Sequence, residues 1–153
     1  KMASKLPELL FTPSSKAEIG NHDINISFEK MSKLIGQDIS EKIKKISCEI
    51  FERASDYLKT KNIILADTKF EFGLCNNGSL VLMDEILTPD SSRFWISESY
   101  QEGVSPASLD KQFIRDYVKS ISWNDSMPPP ELPEDIVQKT FEKYKDLNRI
   151  LMD

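Results

Sequence analysis

The spacing of apolar residues predicts two consecutive helices in the first half of the chain. Residues 27–36 favour a short helix, with Ser27 as its N-cap and Gly36 at its C-terminal end. A longer helix follows and reaches about residue 60, and Asp38 with Glu41 resembles a capping box at its start. Its apolar stripe repeats at helical spacing and consists of Ile39, Ile43, Ile46, Ile50, Ala54 and Leu58.

Two strands are predicted next, at about 62–74 and 79–88. Between them, Asn77–Gly78 is a strong signal for a two-residue hairpin turn, because both residue types tolerate positive φ. After the second strand, the polar sequence TPDSSRFW (residues 88–95) predicts a loop. The first 26 residues have no clear period and predict a long irregular segment, which suits ligand contacts.

The C-terminal part predicts two further helices. Ser108 is the expected cap of the first, whose buried face would be Leu109, Phe113, Tyr117 and Ile121. A proline-rich linker follows, and the last helix is expected to begin near Pro133. Its packing residues would be Ile136, Val137, Phe141, Tyr144, Leu147 and Leu151. An antiparallel hairpin packed with helices makes the predicted fold class α+β.

Composition narrows the function classes. The chain has 153 residues and a formal net charge of −5, so general attraction to nucleic acid or to an anionic membrane is not expected. No long apolar run is present, so neither secretion nor membrane spanning is expected, and Cys48 and Cys75 fit no metal or redox spacing. Two reduced thiols in a cytoplasmic protein are the expectation. A single histidine, His22, excludes a multi-histidine metal site.

Charged residues inside the first predicted strand are its most informative feature. Strand alternation would put Asp67, Lys69, Glu71 and Gly73 on one face, and Ala66, Phe70 and Phe72 on the opposite, core-facing side. Gly73 would leave room for a ligand to approach the backbone.

A two-residue turn would also set Glu71 directly opposite Asp84. Opposed carboxylates destabilise a strand pair unless a cation lies between them, and Mg²⁺ is commonly held by one or two carboxylates with substrate phosphates. Lys69 on the same face could receive an anionic group. Two alternatives stay open: a three-residue loop would shift the register by one and separate the acids, and the charges could simply form a solvated face.

Other charged residues suggest anion binding less specifically. In the predicted loop, Ser91, Ser92 and Arg93 could bind a phosphate, or could form an ordinary turn. Lys111 and Arg115 lie four residues apart on a predicted helix, where an anionic partner would relieve their repulsion. Neighbouring Asp110 and Asp116 are a sufficient alternative source of neutralising charge. In the N-terminal segment, Lys16, Glu18, His22 and Asp23 form a polar group that suits ligand contacts or plain solvation.

Four stretches together resemble one enzyme family. LADTKFEFG (65–73) is similar to a signature of the phosphoribosylaminoimidazole-succinocarboxamide synthases, or SAICAR synthetases. LPELLFTPSSKAEIGNHDINIS (6–27), LMDEILTPDSSRFW (82–95) and SYQEGVSPASLDKQFIRDYV (99–118) resemble the longer, single-function form of the same family, in the same order. The combined resemblance covers nearly the whole chain.

The resemblance implies an ATP- and Mg²⁺-dependent ligase of purine biosynthesis. Its substrates would be ATP, L-aspartate and carboxyaminoimidazole ribotide, joined by way of an acyl phosphate. Glu71 and Asp84 match the family's acids near Mg²⁺ and ATP, and Lys69 matches a lysine on the substrate side. The resemblance implies that these three residues are catalytic and that Glu71 and Asp84 hold the metal and the nucleotide. The implied substrate-binding residues are Asp23, Lys16, Arg93, Arg115 and, with weaker matches, Asp67 and Asp90.

The resemblance also implies an incomplete site. This chain resembles the C-terminal, substrate-binding portion of the enzyme, with residues 1–26 as a substrate loop, 27–60 as helices, 62–88 as the hairpin and 108–153 as C-terminal helices. The N-terminal lobe, which supplies phosphate contacts to ATP, would have to complete the site. Two other hypotheses are a catalytically incomplete fragment or binding module, and an unrelated Mg²⁺-dependent phosphotransferase.

Overall fold

A computed structural model describes residues 1–15, 23–124 and 128–152. Among these residues the chain forms six β-strands and four α-helices, which confirms the α+β class. Two compact units are present. Unit 1 consists of Lys1–Ser4, Ala54–Lys69 and Glu85–Asp153, and unit 2 of Lys5–Arg53 and Phe70–Asp84. No helix within the described residues combines the length and the apolar character needed to cross a membrane.

Two consecutive helices follow the N-terminal segment, as predicted. Strands β1 (Ser14–Ser15) and β2 (Ile24–Asn25) form a short antiparallel pair in the segment expected to be irregular. Helix α1 (Phe28–Ile35) is capped by Ser27, whose Oγ accepts a hydrogen bond of 3.2 Å from the backbone N–H of Lys30.

Helix α2 (Gln37–Thr60) begins one residue earlier than a capping box would allow. Asp38 therefore lies inside the first turn, and the Glu41 carboxylate accepts a 2.6 Å hydrogen bond from the Gln37 side chain instead. The expected capping box was wrong, because Gly36 at φ +89° ends α1 and lets α2 start at once. The apolar stripe of α2 is confirmed: Ile43 and Leu58 are buried, and Ile39, Ile46, Ile50 and Ala54 are half-buried.

The first predicted strand is two strands in two separate sheets. In unit 1, β3 (Ile63–Thr68) pairs antiparallel with β6 (Ser92–Ile96). In unit 2, β4 (Glu71–Leu74) pairs antiparallel with β5 (Leu80–Met83), which ends well before residue 88. Lys69 and Phe70 separate β3 from β4, so the alternation of faces does not run through the segment.

Strand β6 corrects the prediction of a loop over residues 88–95. The β-formers Phe94, Trp95 and Ile96 extend the chain, and only the preceding Thr88–Ser91 forms a turn. Ser108 adds to the same region, since it bridges to Trp95 and the backbone N–H of Leu109 donates to the carbonyl of Phe94 at 2.9 Å.

Helix α3 (Gln112–Ser120) begins after the position that Ser108 would cap, so the predicted cap was wrong. Leu109 is buried but precedes the helix, Phe113 and Tyr117 are half-buried, and Ile121 is exposed. Ser108 and Leu109 are already bonded to β6, and that pairing delays the start of the helix.

Helix α4 (Glu134–Met152) starts where Pro133 predicted, and the carbonyl of Pro133 accepts the first helical hydrogen bonds. Leu147 is buried, and Ile136, Tyr144 and Leu151 are half-buried. Val137 and Phe141 are exposed, so these two packing assignments were wrong. The inward face runs through Thr140, which is buried and bonds back to the Ile136 carbonyl at 2.9 Å.

The core of unit 1 lies around the β3–β6 pair. Its buried apolar side chains come from both strands, from the segment after them and from two helices: Leu58, Ile63, Leu65, Phe94, Leu109 and Leu147. In unit 2 the buried apolar side chains are Met31 and Ile43. The larger buried set therefore backs the sheet that carries Asp67 and Arg93.

The β4–β5 hairpin has a three-residue loop, Asn76 to Gly78. The Cys75 backbone N–H donates to the Ser79 carbonyl, the Gly78 N–H donates to the Cys75 carbonyl, both at 2.9 Å, and Gly78 has φ +80°. This is the pattern of a turn followed by a left-handed glycine, and it is the alternative that shifts the predicted register by one. Glu71 therefore pairs with Met83 rather than with Asp84.

Replacing Gly78 with alanine is expected to destabilise the protein by about 1 kcal/mol, because left-handed backbone is unfavourable for residues with a Cβ. A Cβ there would meet open space, so the effect is one of backbone conformation and not of a clash. Denaturant unfolding of Gly78→Ala against the wild type measures it.

Gly78→Asn is the matched control, since asparagine tolerates the left-handed region and should lose less stability. Equal stability of the alanine variant and the wild type would contradict the observed loop.

Candidate functional site

Asp67 and Arg93 form a cross-strand ion pair on the outer face of the β3–β6 sheet. Leu65 pairs with buried Phe94, and the next pair is Asp67 with Arg93, so Ala66 is an extra residue that bulges from β3. The bulge reverses the parity of the strand. Asp67 consequently leaves the buried face on which Leu65 lies and reaches the guanidinium of Arg93.

The ion pair is bidentate. Arg93 donates from Nε to Oδ1 of Asp67 at 2.8 Å and from Nη2 to Oδ2. These hydrogen bonds hold the pKa of the guanidinium above its usual value. Both side chains are about half exposed, at 47% and 49%. Two of the five guanidinium N–H donors are engaged by Asp67, which leaves three directed elsewhere.

A chain of hydroxyl groups runs beside this ion pair. Thr68 Oγ1 and buried Ser92 Oγ are 2.8 Å apart, Ser92 lies 3.4 Å from Ser91 Oγ, and Ser91 lies 3.2 Å from Thr88 Oγ1. The backbone N–H of Lys69 donates to the Ser91 carbonyl at 2.8 Å. The turn before β6 is thereby tied to the end of β3.

Asp90, in that turn, contacts two side chains, one from α4 and one from the residue before α3. Tyr144 of α4 donates its hydroxyl to Oδ1 of Asp90 at 2.8 Å, and Lys111 Nζ lies 3.6 Å from the same oxygen. Burial and the adjacent Asp90 carboxylate raise the pKa of the Tyr144 phenol well above its usual value. Asp90 thus connects the turn to α4.

Asp110 is fully buried and contacts the half-exposed Arg115. Ser108 donates its hydroxyl to Oδ2 of Asp110, and Nη1 of Arg115 lies 3.5 Å from Oδ1. Burial raises the pKa of the Asp110 carboxyl, while the Ser108 hydrogen bond and the charges of Arg115 and Arg93 oppose that rise. Asp110 was thus correctly considered as a counter-charge for Arg115, whereas Asp116 accepts from Gln112.

These side chains form what we call the arginine–carboxylate cluster: Asp67, Asp90, Arg93, Asp110, Lys111, Arg115 and Tyr144. Its three carboxylates and three cations sum to a formal charge of zero, and every cation in it has a carboxylate partner. Cations anchored in this way keep unused donors in fixed directions, which suits recognition of a phosphate or carboxylate. All seven residues belong to unit 1.

The predicted acidic pair lies in unit 2 and is not face to face. Glu71 begins β4 opposite Met83, and Asp84 follows Met83 with φ +64°, outside the strand. The predicted shared face of Asp67, Lys69, Glu71 and Gly73 was also wrong. Strand β3 ends at Thr68 and β4 starts in another sheet.

The space over Gly73 is occupied by a side chain. A Cβ on Gly73 would lie 2.6 Å from the sulfur of Met83, so the thioether packs against this backbone. Among the described residues, no group of three or more Asp, Glu, His or Cys side chains is placed to hold a metal ion. Glu71 and Asp84 therefore offer at most two carboxylates to a cation.

Of the two N-terminal candidates, Asp23 and Lys16, the structure describes only Asp23. Asp23 is exposed and directly precedes β2. Lys16, like Glu18 and His22, lies outside the described residues. The predicted loop contacts of these residues therefore stay predictions.

The sequence analysis did not predict every residue of the arginine–carboxylate cluster. Tyr144 was assigned to packing alone, and the burial of Asp110 was not foreseen. The Ser108–Leu109–Asp110 spacing, a polar–apolar–polar turn pattern, is the signal that could have indicated a buried side-chain hydrogen bond there.

Tyr144→Phe is expected to lower stability by about 1 kcal/mol near pH 9, because the hydrogen bond to Asp90 is lost. A folded-state pKa above the usual value of about 10 means that this stabilisation is present below pH 10 and fades as the pH rises further. Denaturant unfolding at about pH 9 and pH 11 should therefore show the gap between wild type and variant narrowing with pH.

Tyr57→Phe is the control, since the Tyr57 hydroxyl donates to the backbone carbonyl of Leu151 rather than to a carboxylate. A gap that stays constant or widens between pH 9 and pH 11 would argue against the Tyr144–Asp90 contact.

Comparison with known proteins gives one consistent result. The family model described as SAICAR synthetase matches residues 1–130. The phosphoribosylaminoimidazole-succinocarboxamide synthase of Histophilus somni is 54% identical over 97% of this chain and 52% of its own length. That of Haemophilus influenzae is 56% identical over 94% of this chain and 50% of its own length.

Solved structures agree with the sequence relatives. A Saccharomyces cerevisiae SAICAR synthase complexed with SAICAR is 40% identical, with a TM-score of 0.79, over 97% of this chain and 48% of its own. A SAICAR synthetase in complex with ADP is 32% identical, with a TM-score of 0.70, over 96% of this chain and 52% of its own. The chain thus spans about half the length of the relatives that it matches.

Proposed function

Because the chain belongs to the SAICAR synthetase family, we propose that it forms part of an ATP-dependent ligase that joins L-aspartate to carboxyaminoimidazole ribotide to give SAICAR. The observation that carries the proposal is the family match over residues 1–130, which includes every residue of the arginine–carboxylate cluster except Tyr144, and also Glu71 and Asp84. A structural relative bound to SAICAR and another bound to ADP support these ligand classes.

In the proposed reaction, an oxygen of the ring carboxylate attacks the γ-phosphorus of ATP, and ADP leaves. The aspartate amine then attacks the resulting acyl phosphate at carbon, phosphate leaves with the C–O bond electrons, and the nitrogen loses a proton. Both steps move charge between anionic groups, so positioning and electrostatic stabilisation provide most of the catalysis.

In this reaction we assign the ribotide phosphate to Arg93. Its guanidinium is held by Asp67 in a bidentate pair. The remaining N–H donors of this planar group can bond to two oxygens of one phosphate. Arg115 and Lys69 belong to the same substrate side, while Asp90 and Asp67 act through the cations that they hold. We place Asp23 and Lys16 at the substrate as well, on the resemblance of their sequence segment.

Mg²⁺ would be held by Glu71 and Asp84. The donor set fits, because Mg²⁺ commonly uses one or two carboxylates and completes its shell with water and substrate phosphates. Glu71 begins β4 and pairs with Met83, the residue directly before Asp84, so both acids belong to the end of the hairpin opposite its loop. When bound, the ion would neutralise charge on the transferring phosphoryl group.

We further propose that the other half of the relatives' length completes the ATP site as an N-terminal lobe. The chain covers only 50–52% of the first relatives. The same observation is consistent with a second candidate, a binding module that holds substrate without turnover, but does not favour it. Residues 1–153 then act as the C-terminal catalytic and substrate-binding portion, with the N-terminal segment as a substrate loop.

Arg93→Ala is expected to weaken SAICAR binding by about tenfold or more, since a charge-assisted hydrogen bond contributes roughly 1.5–3 kcal/mol. Isothermal titration of SAICAR into the full chain measures the affinity. Arg149→Ala is the matched control, because Arg149 pairs with Asp146 on α4 and lies outside the cluster. Unchanged affinity in Arg93→Ala would remove the phosphate assignment.

Product formation separates the ligase from the binding module. The chain should form SAICAR from ATP, L-aspartate and the ribotide only when the N-terminal half of a relative is added in trans. Full turnover by the chain alone would contradict the need for that lobe. SAICAR binding without turnover, both by the chain alone and after addition of the N-terminal half, would favour the binding module.

Glu71→Gln and Asp84→Asn are each expected to reduce the enhancement of ADP affinity by Mg²⁺ by about tenfold. The enhancement is the ratio of ADP affinities with and without Mg²⁺, measured on the chain mixed with the N-terminal half of a relative. Glu49→Gln, an exposed acid of α2 paired with Lys45, should leave the ratio unchanged. An unchanged ratio in both site variants would remove the metal assignment.

A further inference from the structure

Asp110 is the most deeply buried charged side chain of the arginine–carboxylate cluster. Its side chain has 0% exposure, and it lies just before α3. Ser108 donates to Oδ2, but Oδ1 has no partner of hydrogen-bond geometry among the described residues. The nearest cation to Oδ1 is the guanidinium of Arg115, with Nη1 3.5 Å away.

Arg115 lies one turn of helix beyond this carboxylate and points its charge back to it. Its side chain is 44% exposed, so part of the guanidinium reaches solvent while Nη1 faces the buried oxygen. Arg93 is near enough for its charge to act on Asp110 as well, although its hydrogen bonds go to Asp67. One buried negative charge therefore acts on both arginines of the cluster.

Burial of the Asp110 carboxylate has a cost in folding stability. Burial raises its pKa, so the folded state disfavours the ionised form relative to the unfolded chain. By linkage, a raised carboxyl pKa makes the charge a net destabilising feature above that pKa, and the destabilisation disappears as the pH falls through it. A buried group of this kind points to a role other than stability.

We propose that Asp110 is a positioning residue that fixes the guanidinium of Arg115 for the anionic substrate, with Arg93 as a second cation under the same field. Asp110 has 0% exposure and would therefore act on the substrate only through Arg115. It acts by restricting the orientations of the half-exposed guanidinium. Less side-chain conformational entropy is then lost when the substrate binds. The inference rests on the proposed function and adds a residue to it.

The test is Asp110→Asn, which keeps the shape and the hydrogen bond with Ser108 but removes the charge. Thermal unfolding at pH 7 should show a midpoint equal to or above that of the wild type. SAICAR affinity, measured by isothermal titration of the full chain, should fall by about tenfold. Side-chain NMR relaxation of the Arg115 Nε–H group should show a guanidinium that is ordered in the wild type and mobile in the variant.

Asp146→Asn is the matched control, because it removes the charge from another aspartate–arginine pair in unit 1 while leaving the cluster intact. It should change neither SAICAR affinity nor the relaxation of Arg115. A second variant, Asp110→Glu, keeps the charge and should restore part of the affinity if it folds.

Two outcomes would overturn the inference. Equal SAICAR affinity in Asp110→Asn and wild type would do so, and so would an Arg115 guanidinium equally ordered in both. If the wild type bound no SAICAR, the proposed function would fail, and the relaxation measurement would still decide whether Asp110 positions Arg115. A lowered unfolding midpoint with an unchanged Arg115 signal would assign Asp110 a purely structural role.

Discussion

The bulge at Ala66 in β3 is the local constraint on which the candidate site depends. In a regular strand, Ala66 would pair with Arg93 and Asp67 would share the buried face of Leu65 and Phe94, where a carboxylate would lose its hydration. With it, Asp67 turns outward and pairs with Arg93. The same two strands thus provide a buried apolar face for the core of unit 1 and an outer face that carries charge.

The cluster built on that sheet is formally neutral, and its cations are all anchored. Asp67 holds Arg93, Asp90 holds Lys111, and buried Asp110 faces Arg115. The Asp67–Arg93 and Asp90–Lys111 pairs are both partly exposed, and such ion pairs contribute little to stability, about 0–1 kcal/mol each. Their arrangement is better explained by recognition, because an anchored guanidinium presents its remaining donors with less entropy to lose when an anion binds.

Sequence patterns predicted the helices well and the sheets poorly. The caps Ser27 and Gly36 and the stripe of α2 follow from local rules. Strand breaks do not follow from local rules. The residues Thr68–Lys69–Phe70 contain no glycine or proline that would predict the break between β3 and β4, which belong to different sheets. The register of the β4–β5 hairpin depended on one loop residue, and a shift of one removed Asp84 from its place opposite Glu71. Arg93 and Asp67 were named as candidates, but their pairing depends on strand β6. That strand was predicted as a loop because polar residues precede it.

We propose that the arginine–carboxylate cluster of unit 1 receives the anionic end of SAICAR. An NMR titration of SAICAR into the isotope-labelled chain tests it most directly, because it reports each backbone amide separately. The largest shift changes are expected on β6 around Arg93 and on α3 around Arg115. Saturable changes confined to residues outside β3, β6 and α3, with Arg93 and Arg115 unaffected, would contradict it.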